Sequence, residues 1–138
     1  MSAIRVVQTA IYAVLVADST LAALATGGIH NDVPDGQAYP HVLISRASVV
    51  PWHTCGGASS GIGWNTIIRL HIYSRYQGET EALQISEQIA ALLNFQALTV
   101  TGYPTALVAL ESSRVMVEAI EKIETRHLVD EYRVRVHQ

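Results

Sequence analysis

The sequence has one lysine, one cysteine and no apolar run that approaches the length of a membrane span. Because Lys122 is the only lysine, a lysine-based phosphate site is nearly excluded. Cys55 has no second cysteine to pair with, which indicates a reducing compartment or a fold that does not depend on cysteine. We therefore expect neither an internal disulfide nor a membrane-spanning segment.

Positive charge is also scarce, since 9 basic residues stand against 12 acidic ones and the formal net charge is −3. Tight, nonspecific binding of nucleic acid needs clustered Lys and Arg that displace counterions, so a nonspecific nucleic-acid-binding protein is disfavoured. Near the N-terminus, Gln8, Thr9 and Asp18 interrupt any signal-like apolar core. These features predict a mature, soluble protein.

The best-defined pattern lies in residues 64–94. Even positions from Trp64 to Ile72 are mostly apolar, whereas Asn65, Arg69 and His71 belong to a mostly polar odd row. This period of two is typical of a half-buried strand. After Gly78 the apolar spacing becomes helical and predicts a helix over residues 80–93. With 49% apolar residues in 138, the chain can bury a core, and we expect one domain over residues 1–138.

The segment before this unit predicts one helix and one strand. Helical spacing marks residues 4–25, with a possible re-capping point at Asp18-Ser19 and a stop at Gly27-Gly28. Residues 41–50 predict a strand that ends at Pro51, followed by a long, polar, glycine-rich loop up to Gly63. The two strands around this loop are expected to form a hairpin.

The segment after residue 94 predicts extended chain. A short piece at 98–101 is followed by a strand at 105–117, whose alternation is imperfect, by a turn at 118–123 and by a final strand at 125–136. In the final strand, Leu128 and Tyr132 belong to one face and His127 belongs to the other. The predicted fold is α+β, with a mainly antiparallel sheet of about four strands and two helices packed on one face.

A glycine-rich segment, CGGASSGIG at residues 55–63, looks like the nucleotide loop of short-chain dehydrogenases. That loop must open a helix, whose N-terminus holds the pyrophosphate. Here strand periodicity follows the loop, and four residues before Lys122 stands Glu118 in place of the catalytic tyrosine. The segment is more simply the tip of a hairpin, although a small nucleotide- or metal-using enzyme built on it remains an alternative.

Candidate metal ligands and nucleophiles are few. His53 and Cys55 form the only close pair of metal-ligating residues, whereas zinc sites need three or four ligands. Ser59 and Ser60 share the glycine-rich loop with Cys55, but no strand–turn–helix nucleophile elbow surrounds them. We therefore predict no catalytic residue, no metal site and no cofactor.

Interface residues are predicted on the polar strand rows and at the tryptophans that flank the loop. Tryptophan is favoured both in cores and in interfaces. The polar rows are either a solvated sheet face of mixed charge or a face used against a neighbouring subunit. The candidates, together with the loop residues, are Trp52, His53, Ser59, Ser60, Trp64, Arg69, His71, Arg75, Arg133 and Arg135.

An ordered set of short motifs, which spans nearly the whole chain, resembles the phage tail completion family, also described as tail terminator or tail-to-head joining proteins. Each motif is weak alone, and the order of the set carries the resemblance. The motifs are AIYA at 10–13, DSTLAAL at 18–24, NDVP at 31–34, YPHVLI at 39–44, LHIYS at 70–74, GETEA at 78–82 and YRVRV at 132–136.

The resemblance implies a structural virion or gene-transfer-particle protein and no catalysis. It implies a homo-oligomeric ring, usually a hexamer, that caps the head-proximal end of the tail tube and joins the tail to the head connector. The implied partners are the tail tube protein, the connector protein and DNA in transit; the implied place is the virion tail, after assembly in the host cytoplasm. The loop at about 52–63 would face neighbouring subunits or the tail tube. A third hypothesis is an unrelated α+β binding domain.

Overall fold

The computed structural model describes residues 3–32, 37–45, 48–53 and 62–137. Its three helices are α1 (Ala3–Ala17), α2 (Ser19–Leu24) and α3 (Thr80–Leu93). Its six strands are β1 (Ile29–His30), β2 (His41–Ile44), β3 (Ser48–His53), β4 (Ile62–Ser74), β5 (Thr105–Ile120) and β6 (Ile123–His137). The α+β class is confirmed, whereas the prediction of about four strands and two helices is only roughly right.

The six strands form one mixed sheet in the order β1-β2-β4-β6-β5, and β3 pairs with β4 beside this path. Only the β1–β2 pair is parallel; the other described pairs are antiparallel. Strand β4 is central, because it pairs with β2 and β3 along one side and with β6 along the other. The hairpin predicted across the glycine-rich loop is therefore present as β3–β4.

The core lies between the helices and one face of the sheet. The even residues of β4 predicted to face inward, including Ile68, Leu70 and Ile72, are fully buried. Helix α1 contributes Ile11 and Leu15 to the same core. A second set of fully buried side chains comes from α3 and β6: Ile85, Ile89, Leu93, Leu128, Tyr132, Val134 and Val136. The period-two prediction for β4 and the helix prediction for 80–93 are thus both confirmed.

The suggested division of the first helix is confirmed, and two other predicted boundaries are wrong. The helix expected at 4–25 is divided at Asp18, whose carboxylate accepts the backbone N–H of Leu21 at 2.8 Å and so caps α2, as the sequence suggested. The strand expected at 41–50 is two strands, and β3 continues through Pro51, because an edge strand tolerates a residue without an N–H. The turn expected at 118–123 comprises only Glu121 and Lys122, both with positive φ.

A β-bulge explains the imperfect alternation of β5. Leu110 pairs with Tyr132 and Ser112 with Glu131, so Glu111 is the extra residue. Before the bulge the even residues of β5 share a face with the buried residues of β6, and after it the odd residues do. The bulge therefore turns Ser113 inward, opposite Asp130.

A buried carboxylate joins this part of the sheet to helix α3. Asp130 is fully buried, and its two oxygens accept hydrogen bonds from Ser86 Oγ at 2.6 Å and Ser113 Oγ at 2.5 Å. Burial raises the pKa of Asp130, because it disfavours the charged form, and the two serine hydroxyls act in the opposite direction. One side chain thus holds α3, β5 and β6 together.

Candidate interaction face

The sheet face opposite the helices carries a row of stacked rings that crosses three strands; we call this surface the open face. The register places His41 of β2 opposite Tyr73 of β4, and Tyr73 opposite His127 of β6. Ring centroids are 5.2 Å apart between His41 and Tyr73 and 4.4 Å apart between Tyr73 and His127. Such cross-strand contacts fix the register and stiffen the face.

A hydrogen-bonded histidine pair continues this row. His71 Nδ1 lies 2.7 Å from His127 Nε2, and His127 Nδ1 lies 3.1 Å from Glu118 Oε1. Because the carboxylate can only accept, His127 Nδ1 donates to Glu118, and a single proton lies between His71 Nδ1 and His127 Nε2. The pKa of His71 is lowered by burial and, to a smaller degree, by the neighbouring His127 and Arg69.

Arg75 closes one end of the face. Its guanidinium carbon lies 4.0 Å from the centroid of the Tyr39 ring, and its Nη2 lies 3.6 Å from Glu121 Oε2 at the β5–β6 turn. Nη2 also lies 3.4 Å from the carbonyl oxygen of Ile120. The arginine is therefore held by a stacking contact and by the turn, so its positive charge already has partners within the chain.

Two ion pairs neutralise the arginines in the middle of the open face. Arg69 Nε lies 3.0 Å from Glu131 Oε2, and Arg133 Nε lies 3.2 Å from Glu111 Oε1. These pairs are largely exposed, so each adds little to stability. Their consequence is electrostatic, because they neutralise two arginines of the face, whereas Arg135 contacts Asn65 and Trp52 and Arg114 has no ion-pair partner among the described residues.

At the other end of the face, Trp52 lies beside the last residues of β6. The Arg135 guanidinium carbon is 5.6 Å from the Trp52 ring centroid, and the His137 ring centroid is 5.5 Å from it. Arg135 Nε donates to Asn65 Oδ1 at 3.1 Å. Gly63 allows this close approach, because a Cβ at this position would lie 3.0 Å from Trp52 Cε3 and the indole would have to shift by a few tenths of an ångström.

The structure brings together some of the predicted interface residues. Arg69, His71, Arg133 and Arg135 lie on the open face, with Arg75 at one end and Trp52 at the other. Trp64 lies on the opposite, helix-covered side, where it packs against the core. His53 ends β3 without a described side chain, and Ser59 and Ser60 lie outside the described residues. The interface role of all these residues stays a prediction.

Four residues of the ring row and histidine pair are absent from the sequence-based candidates: His41, Tyr73, Glu118 and His127. Alternation placed His127 on a polar row and Tyr73 as an interruption of another, but only the strand register shows that these rows meet. The arrangement can share one proton between two imidazoles, and it presents the partly exposed rings of His71 and Tyr73, whereas His41 and His127 are buried. Within the described residues there is no group of three or more His, Cys, Asp or Glu that could hold a metal ion.

The open face thus combines stacked rings with ion pairs on a rigid strand framework. Comparison with known families defines the class of protein: the model of the family "Tail completion protein gp17" covers residues 9–137. The chain therefore belongs to this phage tail completion family. The protein is a structural component of the tail and not an enzyme. The hypothesis of a small nucleotide- or metal-using enzyme is wrong.

Solved structures show the same fold. A chain from the structure titled "Virion of native gene transfer agent (GTA) particle" aligns with a TM-score of 0.80 and 20% identity over 100% of both chains. A second chain, whose title states no function, aligns with a TM-score of 0.55 and 16% identity over 94% of each chain. No curated protein matches the sequence. No helix in the described ranges is long and apolar enough to span a bilayer.

Proposed function

We propose that the protein, acting as a single domain, forms a homo-oligomeric ring, a hexamer, at the head-proximal end of the tail tube. The ring ends the tube, joins it to the head connector and lets DNA pass through its lumen. The observation that carries this proposal is the family match over residues 9–137. The likeness of the whole chain to a protein of a gene transfer agent virion supports the same role in a phage-like particle.

The electrostatics of the open face support a conduit. A ring through which DNA passes must not retain the phosphates, and retention needs clustered cations that displace counterions. Here the net charge is −3, and Arg69 and Arg133 are each paired with a glutamate. The net charge and these two ion pairs therefore favour a ring whose lumen DNA passes without being held.

The open face is also the proposed contact surface for the tail tube protein or the connector. Its rings are fixed by cross-strand contacts, so little side-chain entropy remains to be lost when a partner binds. Trp52, with Arg135 against its ring, supplies the aromatic and arginine pair that interfaces favour. The predicted interface residues on this face would make the contact.

Electron microscopy of the purified protein, alone and mixed with tail tubes, tests the proposal. We expect rings at the tube ends and no binding of tube-length DNA by the free protein. An Arg133→Glu variant on the open face should reduce tube binding, while Arg5→Glu at an exposed position of helix α1 should not. A protein that stays monomeric at high concentration and never associates with tail tubes would contradict the proposed function.

A further inference from the structure

The chain carries an exposed aromatic residue in a strained backbone conformation directly after helix α3. Phe95 has φ 56°, and 74% of its surface is exposed. A positive φ is unfavourable for a bulky residue, and burial of the exposed ring does not offset this cost. The backbone is nevertheless fixed, because the Phe95 N–H donates to the Val108 carbonyl at 2.8 Å and Asn94 Oδ1 accepts the N–H of Leu110 at 2.9 Å.

Phe95 is thus fastened to the edge strand β5 while its ring lies in solvent. We call Phe95 the knob. Leu107 of β5 is also exposed, but it pairs with Arg135 and so belongs to the open face. A large apolar side chain held in solvent on a fixed and strained backbone marks Phe95 as a candidate contact residue.

A groove of about 370 Å³ lies at the other edge of the protein, between α1, α2 and β1. Its lining includes Tyr12, Val16, Ala22, Thr26 and Ile29, and none of its lining residues is charged. Tyr12 is 40% exposed and Val16 50% exposed. The groove is therefore apolar and open.

The surface around this groove lacks the charges that normally keep a helix face in water. Between Arg5 and Asp32 the only Asp, Glu, Lys or Arg is Asp18. Its carboxylate is already used, because it accepts the Leu21 N–H and a hydrogen bond from Gln88 Nε2 at 2.9 Å. No charge on this stretch opposes the approach of an apolar partner.

The knob and the groove cannot meet within one chain. The knob is attached to β5 and the groove includes Ile29 of β1, and these strands are the two ends of the sheet order β1-β2-β4-β6-β5. Four spacings of about 4.8 Å separate them by roughly 19 Å. The partner of each must therefore come from another molecule.

We propose that the knob of one copy, Phe95, fills the α1–α2–β1 groove of a second copy in a head-to-tail contact. Both halves are apolar and uncharged, and they lie at opposite edges, so each copy offers one of each and the contact can repeat around a closed ring. This inference rests on the proposed function, since it names the seam of the proposed ring. It leaves the open face free for the tail tube or the connector.

The first test is Phe95→Gly, measured by sedimentation equilibrium. Glycine suits φ 56° and the lost side chain is mostly exposed, so the monomer should keep its thermal unfolding midpoint or gain in it. Self-association should weaken about 30-fold or more, as for a central aromatic anchor. Tyr76→Gly is the matched control, because Tyr76 is an aromatic residue, 56% exposed, outside knob and groove.

The second test is Ala22→Glu, which places a charge in the groove, with Ala23→Glu as its control. Both alanines are exposed on α2, but only Ala22 lines the groove. A 1:1 mixture of Phe95→Gly and Ala22→Glu proteins then retains one intact knob and one intact groove per pair. The mixture should form heterodimers and nothing larger, although each variant alone stays monomeric.

The outcomes separate the contact from the function. If wild type associates and both variants associate equally well, or if the mixture gives no heterodimer, the knob–groove contact is refuted while the ring stands. A wild type that never associates with itself also refutes the contact. The proposed function is judged separately by binding to tail tubes, so a groove filled by another virion protein would appear as tube binding lost in Ala22→Glu without any self-association in wild type.

Discussion

The buried Asp130 allows a sharp test of how this fold balances desolvation against hydrogen bonding. Its carboxylate is fully buried and accepts two serine hydroxyls, one from α3 and one from β5. We consider Asp130→Asn and Asp130→Ala. Asparagine keeps the shape and can donate to one serine while it accepts from the other. Alanine removes both hydrogen bonds and leaves a cavity.

The magnitudes follow from these contacts. A hydrogen bond to a charged group contributes about 1.5–3 kcal/mol, and part of that is offset by the desolvation of the carboxylate, so Asp130→Ala should cost about 3 kcal/mol. For a chain of this length that corresponds to a fall of about 10 °C in the unfolding midpoint. Asp130→Asn should lower the free energy of unfolding by about 1 kcal/mol near neutral pH, because asparagine has nearly the same volume and can still form hydrogen bonds with both serines.

The pH dependence of stability shows whether burial or hydrogen bonding dominates at Asp130. Because the pKa of Asp130 is raised in the folded protein, its contribution is largest below the unfolded pKa of about 3.9 and is lost as pH rises through the folded pKa. Urea unfolding of wild type and Asp130→Asn between about pH 4 and pH 7 measures this contribution. The free-energy advantage of wild type over Asp130→Asn should shrink as pH rises. An advantage that grows with pH would refute the reasoning and show that the serine hydroxyls outweigh burial.

Three further predictions concern stability. Replacing Glu121 and Lys122, with φ 55° and 65°, by Asn and Gly should raise the free energy of unfolding by about 1–2 kcal/mol, and an unchanged urea midpoint would contradict this. Because the pKa of His71 is lowered, its contribution is complete above about pH 6.5 and is lost as pH falls through the folded pKa. His71→Asn should therefore lose less stability than wild type on thermal unfolding at acid pH; parallel losses would argue against it. Gly27→Ala should lower the free energy of unfolding by about 3 kcal/mol or more, because its Cβ would lie 2.1 Å from the Ala38 carbonyl oxygen. Urea unfolding followed by circular dichroism measures this loss. A near-native midpoint would mean that the backbone around Ala38 moves to make room.

The sequence predicts best where one face of an element is buried along its whole length. Strand β4 and helix α3 both meet this condition, so their apolar residues follow the period of the backbone without interruption. The division of the first helix was also visible, because an aspartate inside a helix competes for backbone donors. Pro51 misled the prediction, since proline ends a central strand but is tolerated on an edge.

Strand β5 shows how a single extra residue hides a strand pattern. Its inward residues are even up to Leu110 and odd from Ser113, because Glu111 is not paired in the ladder. Read with one fixed period, the segment gives no clear face. Read as two short patterns joined at Glu111, it gives two consistent faces and a predicted bulge. The same device places Ser113 beside Asp130, so the irregularity is what completes the buried network.

The open face could be predicted only in part, because its order comes from contacts between distant residues. The alternation of β4 and β6 predicted polar rows that contain His71 and His127. That these imidazoles lie 2.7 Å apart depends on the pairing of residues separated by 56 positions. No local spacing encodes that register, which is set by burial on the other side of the sheet.

The two surfaces of the protein differ in how far the chain satisfies them by itself. On the open face, Arg69 and Arg133 have glutamates, Arg135 has Asn65 and Trp52, and the aromatic rings contact one another, so these groups are satisfied without a partner. At the edges of the sheet the opposite holds, because Phe95 is strained and exposed while the groove beside α1 and α2 has neither charge nor cover. The scarcity of charge between Arg5 and Asp32 is visible in the sequence, but the exposure of Phe95 is not, since an aromatic residue after a helix is ordinarily expected to pack. If the proposed ring forms, we expect its assembly to begin at the edges, where association removes apolar surface from water, and to leave the open face for a partner that binds the ring.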